Sequence, residues 1–177
     1  MVAPVKANKK VTLGRTTWWA IPTLGSQTAP AITDINSASG LNLVGFVLGE
    51  QDLPTGDTGK TSLPRLLMET SVTQVLEPTT YTFPTLRCLW DPQAAAGAAD
   101  KKAWALFGAG FTGFLIRRSN VVNSVSDAAT AGQFVDTFPV LANVGVPTES
   151  GTGADAVYCF DVDFGITGTP TFNVATV

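Results

Sequence analysis

Residues 54–62 read PTGDTGKTS, and Gly59-Lys60-Thr61 matches the close of a phosphate-binding loop, G-x-x-x-x-G-K-[ST]. Such a loop cradles phosphate with backbone N–H groups and runs straight into a helix whose N-terminus faces the anion. Here the first glycine of the pattern is replaced by Pro54, which has no N–H, and Pro64 falls where the helix would have to form. The stretch is therefore expected to be a long, polar inter-strand loop over residues 49–63. A second pattern, Gly108-x-Gly110-x-x-Gly113 followed at a distance by Asp136, has the spacing of a dinucleotide fingerprint. That chemistry needs a strand before the glycines and a helix after them. The order here is reversed, so the glycines read as a helix stop and a tight turn. Asp161 and Asp163, two apart, could offer oxygens to a divalent cation, but no third oxygen ligand stands near them in sequence.

The chain contains no histidine, which removes the commonest general base, the usual activator of a serine nucleophile and most zinc sites. Cys88 and Cys159 lack C-x-x-C spacing and read as small core residues. No catalytic, cofactor-binding or metal-ligating residue is assigned. The net charge of −3 and a pI near 4.8 argue against a protein that grips nucleic acid through phosphates.

The elements that would position these residues are mostly strands. Short runs rich in Val, Ile, Thr, Phe and Tyr predict strands at 15–21, 41–48, 65–76, 80–89, 111–118, 133–141, 156–166 and 170–176. In YCFDVDFGI the residues Tyr158, Phe160, Val162, Phe164 and Ile166 share one face, expected to be core. Cys159, Asp161, Asp163 and Gly165 share the other, expected to be wet. METSVTQVLE is polar on both faces, so no core of its own fixes it and a pairing with another subunit is expected. One helix is predicted over 100–107, with Asp100 as N-cap, an apolar stripe of Ala103, Trp104, Leu106 and Phe107, and Gly108 as the stop. A shorter helical turn is expected at PAITDINSA. Adjacent Trp18 and Trp19 place one ring on each side of a strand. The fold class is mainly β, an antiparallel β-sandwich or barrel-like domain with one flanking α-helix, and residues 1–177 form a single domain with an N-terminal arm over 1–14. Only 14% of the residues are charged against about a quarter in ordinary soluble domains, so partners are expected to cover much of the surface. The opening MVAPVKANKK carries no secretory pattern, and the longest apolar run, AWALFGAGFTGFLI, falls short of the roughly 18 residues needed to span a bilayer, so no membrane association is expected.

The order of TTWWAIPTLGSQTAPAITDI, GEQDLPTGDTGKTS, LWDPQ, GAGFTGFLIRRS, FPVLANVGVP and DVDFGITGTPTFNVATV resembles the major tail tube proteins of long-tailed bacteriophages, particularly those of actinobacteria. The resemblance covers nearly the whole chain. It implies a subunit whose strands join a ring-shaped oligomeric barrel of six copies, with rings stacked as a tube around a tape measure protein. The tube is capped by tail terminator and distal tail proteins, assembled in the host cytoplasm, and later conducts DNA. The family carries no catalytic residues. Within that frame Asp161 and Asp163, with Glu69 and Glu77, are the candidate lumen-facing acidic residues. Gly49, Asp52, Pro54, Gly56, Asp57, Gly59 and Lys60 form the candidate inter-subunit loop. Rival readings are a β-sandwich binding or decoration module of a virion and a nucleotide-binding enzyme built on one of the glycine patterns.

Overall fold

The computed structural model describes residues 15–48, 54–64, 74–95, 97–121, 128–151 and 156–177. The described residues form ten strands: β1 Thr16–Ile21, β2 Leu41–Asn42, β3 Thr55–Ser62, β4 Gln74–Thr82, β5 Leu86–Leu89, β6 Phe111–Ser119, β7 Phe134–Val144, β8 Thr148–Ser150, β9 Val157–Ile166 and β10 Thr171–Ala175. Two short helices, α1 Ile32–Ile35 and α2 Lys102–Phe107, accompany them. Every strand pairing is antiparallel, and the fold is mainly β, consistent with a β-sandwich.

Eight strands form one sheet in the order β2-β1-β6-β7-β9-β5, with β10 added to β7 and β8 to β9. The sheet rolls until its ends meet. Val47, just after β2, bridges to Cys88 on β5; the Leu48 N–H donates to the Arg87 carbonyl at 2.8 Å, and the Leu89 N–H donates to the Phe46 carbonyl at 2.7 Å. This closure satisfies the outer edge of β5, which would otherwise expose backbone donors and acceptors.

Register divides the side chains cleanly. Facing inward are Trp18 and Ala20 of β1, Phe111 and Leu115 of β6, Phe138, Val140 and Ala142 of β7, Phe160, Val162 and Phe164 of β9, and Leu86 and Cys88 of β5. The ring of Phe83 lies among Trp18, Phe138 and Phe164 with centroids 5.3–5.5 Å away, near edge-on. α2 adds Ala103 and Phe107, both fully buried, and its Trp104 ring meets Phe160 edge-on at 5.1 Å and Trp90 at 5.0 Å. On the outer side Trp19, Ile21, Ile116 and Val135 are covered by Ile35 of α1 and by Ala129. Both tryptophans of the pair are thus covered within the subunit, on opposite sides of β1.

Several expected boundaries move. The expected loop 49–63 contains a strand, because Thr55–Ser62 pair with Thr82–Gln74 in a separate two-stranded ribbon. The strand expected at 80–89 breaks at Phe83–Thr85, where the Phe83 ring turns into the core and Pro84 cannot donate to a ladder. The strand expected at 41–48 stops after two residues, because the Asn42 side chain accepts the Val44 N–H at 3.0 Å and starts a 3-10 turn over Leu43–Gly45. Asp100 is not the N-cap: it lies inside a 3-10 turn, Ala99–Lys101, and α2 begins at Lys102 with no side-chain cap. Of the strand expected at 65–76, only 74–76 lie among the described residues. Replacing the fully buried Phe107 by Ala is expected to cost about 3–5 kcal/mol of unfolding free energy, read from a urea titration; an unchanged midpoint would place the ring outside the core.

Candidate functional site

Two surfaces lack cover among the described residues. The first is the outer side of β9, β5 and the C-terminal half of β7. Antiparallel register places Asp161 opposite Arg87, and Asp163 opposite Asn143. The Arg87 guanidinium meets Asp161 in a fork, Nε donating to Oδ1 at 2.7 Å and an Nη to Oδ2 at 2.9 Å. The hydroxyl of Thr85 donates to the Asp163 carboxylate. Around them Leu141, Asn143 and Gly165 are exposed. The hydrogen bonds from Arg87 hold the Asp161 carboxyl below the usual carboxylate range, and the same contact pushes the Arg87 guanidinium upward.

The second surface is the ribbon of β3 and β4. Its strands pair with each other and with no other described strand, and nearly every residue on both faces is exposed, including Val75 at 47% and Leu76 at 66%. The register slips between Thr58↔Thr79 and Lys60↔Leu76, so Glu77 and Pro78 face the single residue Gly59 in a bulge. A bulge is where a strand tolerates proline. Glu77 folds over Gly59 and accepts from the Thr61 hydroxyl. The ribbon touches the main sheet where the Tyr81 ring lies 6.2 Å from that of Phe172 on β10.

Neither surface brings together a nucleophile and a base, and among the described residues no three His, Cys, Asp or Glu side chains converge as metal ligands. What both surfaces offer is exposed backbone, apolar side chains and charge, the materials of assembly. The sequence profile of the family described as "Phage tail tube protein" matches residues 4–177. The chain belongs to the phage tail tube protein family. No curated protein matches it.

A tail tube protein is a structural component of a phage tail. In this tail tube protein Gly59-Lys60-Thr61 lies within β3, so its backbone faces a neighbouring strand rather than an anion. The second motif follows α2 and leads into β6, the order that the sequence predicts. Gly110 takes a φ of +84°, the left-handed turn that follows the helix, while Gly108 keeps a helical φ of −66°. At Gly113 an added Cβ would come within 2.4 Å of the Ile21 carbonyl oxygen, so β1 and β6 could not close over any side chain there. Asp136 accepts from Arg117 at 2.9 and 2.5 Å and from the Asn173 N–H at 2.8 Å, tying β6, β7 and β10 together. Cys88 and Cys159 are fully buried on opposite faces of the sheet, and burial pushes the Cys88 thiol up to about 12.

Of the candidate lumen residues, Asp161 and Asp163 stand together on the open face, Glu77 lies on the ribbon, and Glu69 falls outside the described residues. Of the candidate contact residues, Pro54, Gly56, Asp57, Gly59 and Lys60 lie on or beside β3, and Gly49 and Asp52 fall outside the described residues. Sequence reasoning missed Arg87. The alternation of LRCL, which puts Leu86 and Cys88 inward, was the available sign that Arg87 points out. Because its folded pKa is depressed, Asp161 supports stability above the ordinary carboxylate range, and that support is lost as pH falls through the lowered value. In Arg87→Gln its titration, followed by carboxyl NMR shifts, is expected to move up toward the ordinary value of about 3.9. An unmoved titration would refute the Arg87 contact as the cause.

Proposed function

We propose that this tail tube subunit closes with five other copies into a ring. Rings stack into a tube that encloses a tape measure protein, meets tail terminator and distal tail proteins at its ends, and conducts DNA during ejection. Assembly takes place in the host cytoplasm, and the finished protein resides in the virion tail. The observation that carries this reading is the β3–β4 ribbon. A two-stranded ribbon alone is marginal in water, and bare edges invite pairing with other chains, so a ribbon this exposed needs a partner. In a protein of a tube-forming family, the partner that fits is another copy. A closed ring covers such edges because each copy supplies the complement for the next.

The polar outer side of β9 and β5 then supplies the channel wall. Asp161 and Asp163 face the lumen, where carboxylates keep a polyanion off the wall, since duplex DNA carries one charge per ~1.7 Å. Gly56, Asp57, Gly59 and Lys60 of the ribbon lie at the contact between copies.

Leu76→Lys tests the ribbon. The residue is exposed, so the isolated subunit is expected to keep its stability within about 0.5 kcal/mol while tubes, counted by negative-stain microscopy, become rare. Normal tubes from a correctly folded variant would remove the ribbon from the assembly contact.

A further inference from the structure

The open face of β9 and β5 holds three charged groups, and two of them cancel. Asp161 and Arg87 face each other with both carboxylate oxygens and two guanidinium nitrogens engaged, whereas Asp163 is met by a neutral hydroxyl and by no cation among the described residues. Among the described residues of this face, Arg87 is the one cation. A guanidinium fork fits phosphate as well as it fits carboxylate. A free arginine repeated in every copy along a tube would form many such contacts with a passing duplex, and their sum would slow its movement.

We propose that Asp161 masks Arg87, occupying the fork that would otherwise grip the DNA backbone, so that the channel wall keeps a cation for strand pairing without offering it to phosphate. This rests on the reading of the face as channel wall. The geometry separates two roles that the spacing of the aspartates hides. Asp163 supplies net repulsion. Asp161 supplies no net charge once paired, and its work is to hold the fork across the β5–β9 step. Arg87 in turn pins the short strand β5, four residues long, in register with β9. The depressed titration of the Asp161 carboxyl keeps the mask charged throughout the neutral range.

The test uses virions whose tails carry Asp161→Asn, which removes the charge and keeps the shape. DNA release is triggered in vitro and timed at low and at high salt. Release is expected to slow several-fold at low salt, to recover as salt rises, and to recover at low salt in the double variant Asp161→Asn/Arg87→Gln, where nothing is left to unmask. Arg87→Gln alone, which leaves no fork to grip phosphate, is expected to show no salt-dependent slowing of release. Wild-type release from Asp161→Asn overturns the masking role, as does slowing that persists in the double variant. Asp163→Lys separates this from the wall assignment: if it retards release in a salt-dependent way while Asp161→Asn does not, the wall stands and the mask falls. Wild-type release from both variants overturns the two together. Should tails made only of Asp161→Asn fail to assemble, mixed tails carry the same test. Their release is expected to slow with the fraction of variant subunits, and a rate independent of that fraction overturns the proposal.

Discussion

The fold depends on a single demand of the backbone, that both edges of β7 be paired along its eleven residues. One edge is met by β6, which runs beside it from Phe111↔Ala142 to Arg118↔Val135 without a break. The other edge is shared: β9 takes the stretch from Val140 to Val144, and β10 takes Phe134 to Thr137. The chain therefore leaves β9 and returns as β10 along the same edge. It bulges at Phe172 and Asn173, where Asn173 adopts a φ of 53°, and the extra N–H so released is accepted by Asp136 on β7 itself. From this central strand the rest of the sheet extends in both directions until residues 46–48 join its two ends.

Closing the sheet fixes what the interior must hold. Even-numbered positions of β7 face inward, and at one end of the interior this row reaches Asp136, paired with Arg117 on the facing strand. The Arg117 guanidinium also lies 5.7 Å from the Trp18 ring and 5.9 Å from that of Phe138. Both partners are only 16% exposed, so the ion pair is tolerated because its hydrogen bonds are met and aromatic faces receive the cation. At the other end Trp90 and Trp104 stack, and Lys101 donates to the carbonyls of Pro92 and Ala94, fixing the loop that leads into α2. Aromatic rings thus run through the interior from one end to the other, with aliphatic side chains such as Leu86, Leu115, Val140 and Val162 packed between them.

What was legible in the sequence was whatever depends on alternation within one strand. The β-rich class, the inward set Phe160, Val162 and Phe164, the stripe of α2 and the helix-before-strand order around Gly108 follow from local pattern. What was not legible depends on partners distant in sequence. Cys159 alternates onto the polar side of β9 yet is fully buried, because β8 and β5 flank it there and Thr148 lies 3.7 Å from its sulfur. Tyr158 alternates onto the core side yet is 52% exposed, one residue beyond the last β5 pair, Leu89↔Cys159, and opposite Glu149 of β8. The glycines and threonines of PTGDTGKTS read as loop because strand propensity reflects packing on a pleated surface, and this ribbon has almost none within the subunit. Arg87 was hidden for a similar reason: its meaning comes from Asp161, 74 residues away.

The outer side of β7 shows how one strand serves two purposes. Val135, Thr137 and Pro139 are buried, Val135 in a cluster with Ile35 of α1, Thr137 against Thr171 and Pro139 beside Gly168, and the next outward residues, Leu141 and Asn143, are exposed. Cover ends between Pro139 and Leu141, and at that line the outward neighbours on β6 pass from Ile116 and Phe114 to Thr112, while β9 begins to supply Gly165 and Asp163 on the other edge. A sheet that only had to fold would gain by extending apolar cover over the whole face. This one stops half-way and turns to paired charge, while its ribbon leaves Val75 and Leu76 in water. Those residues bury little apolar area within one copy, which is the ground for the proposed contact between copies.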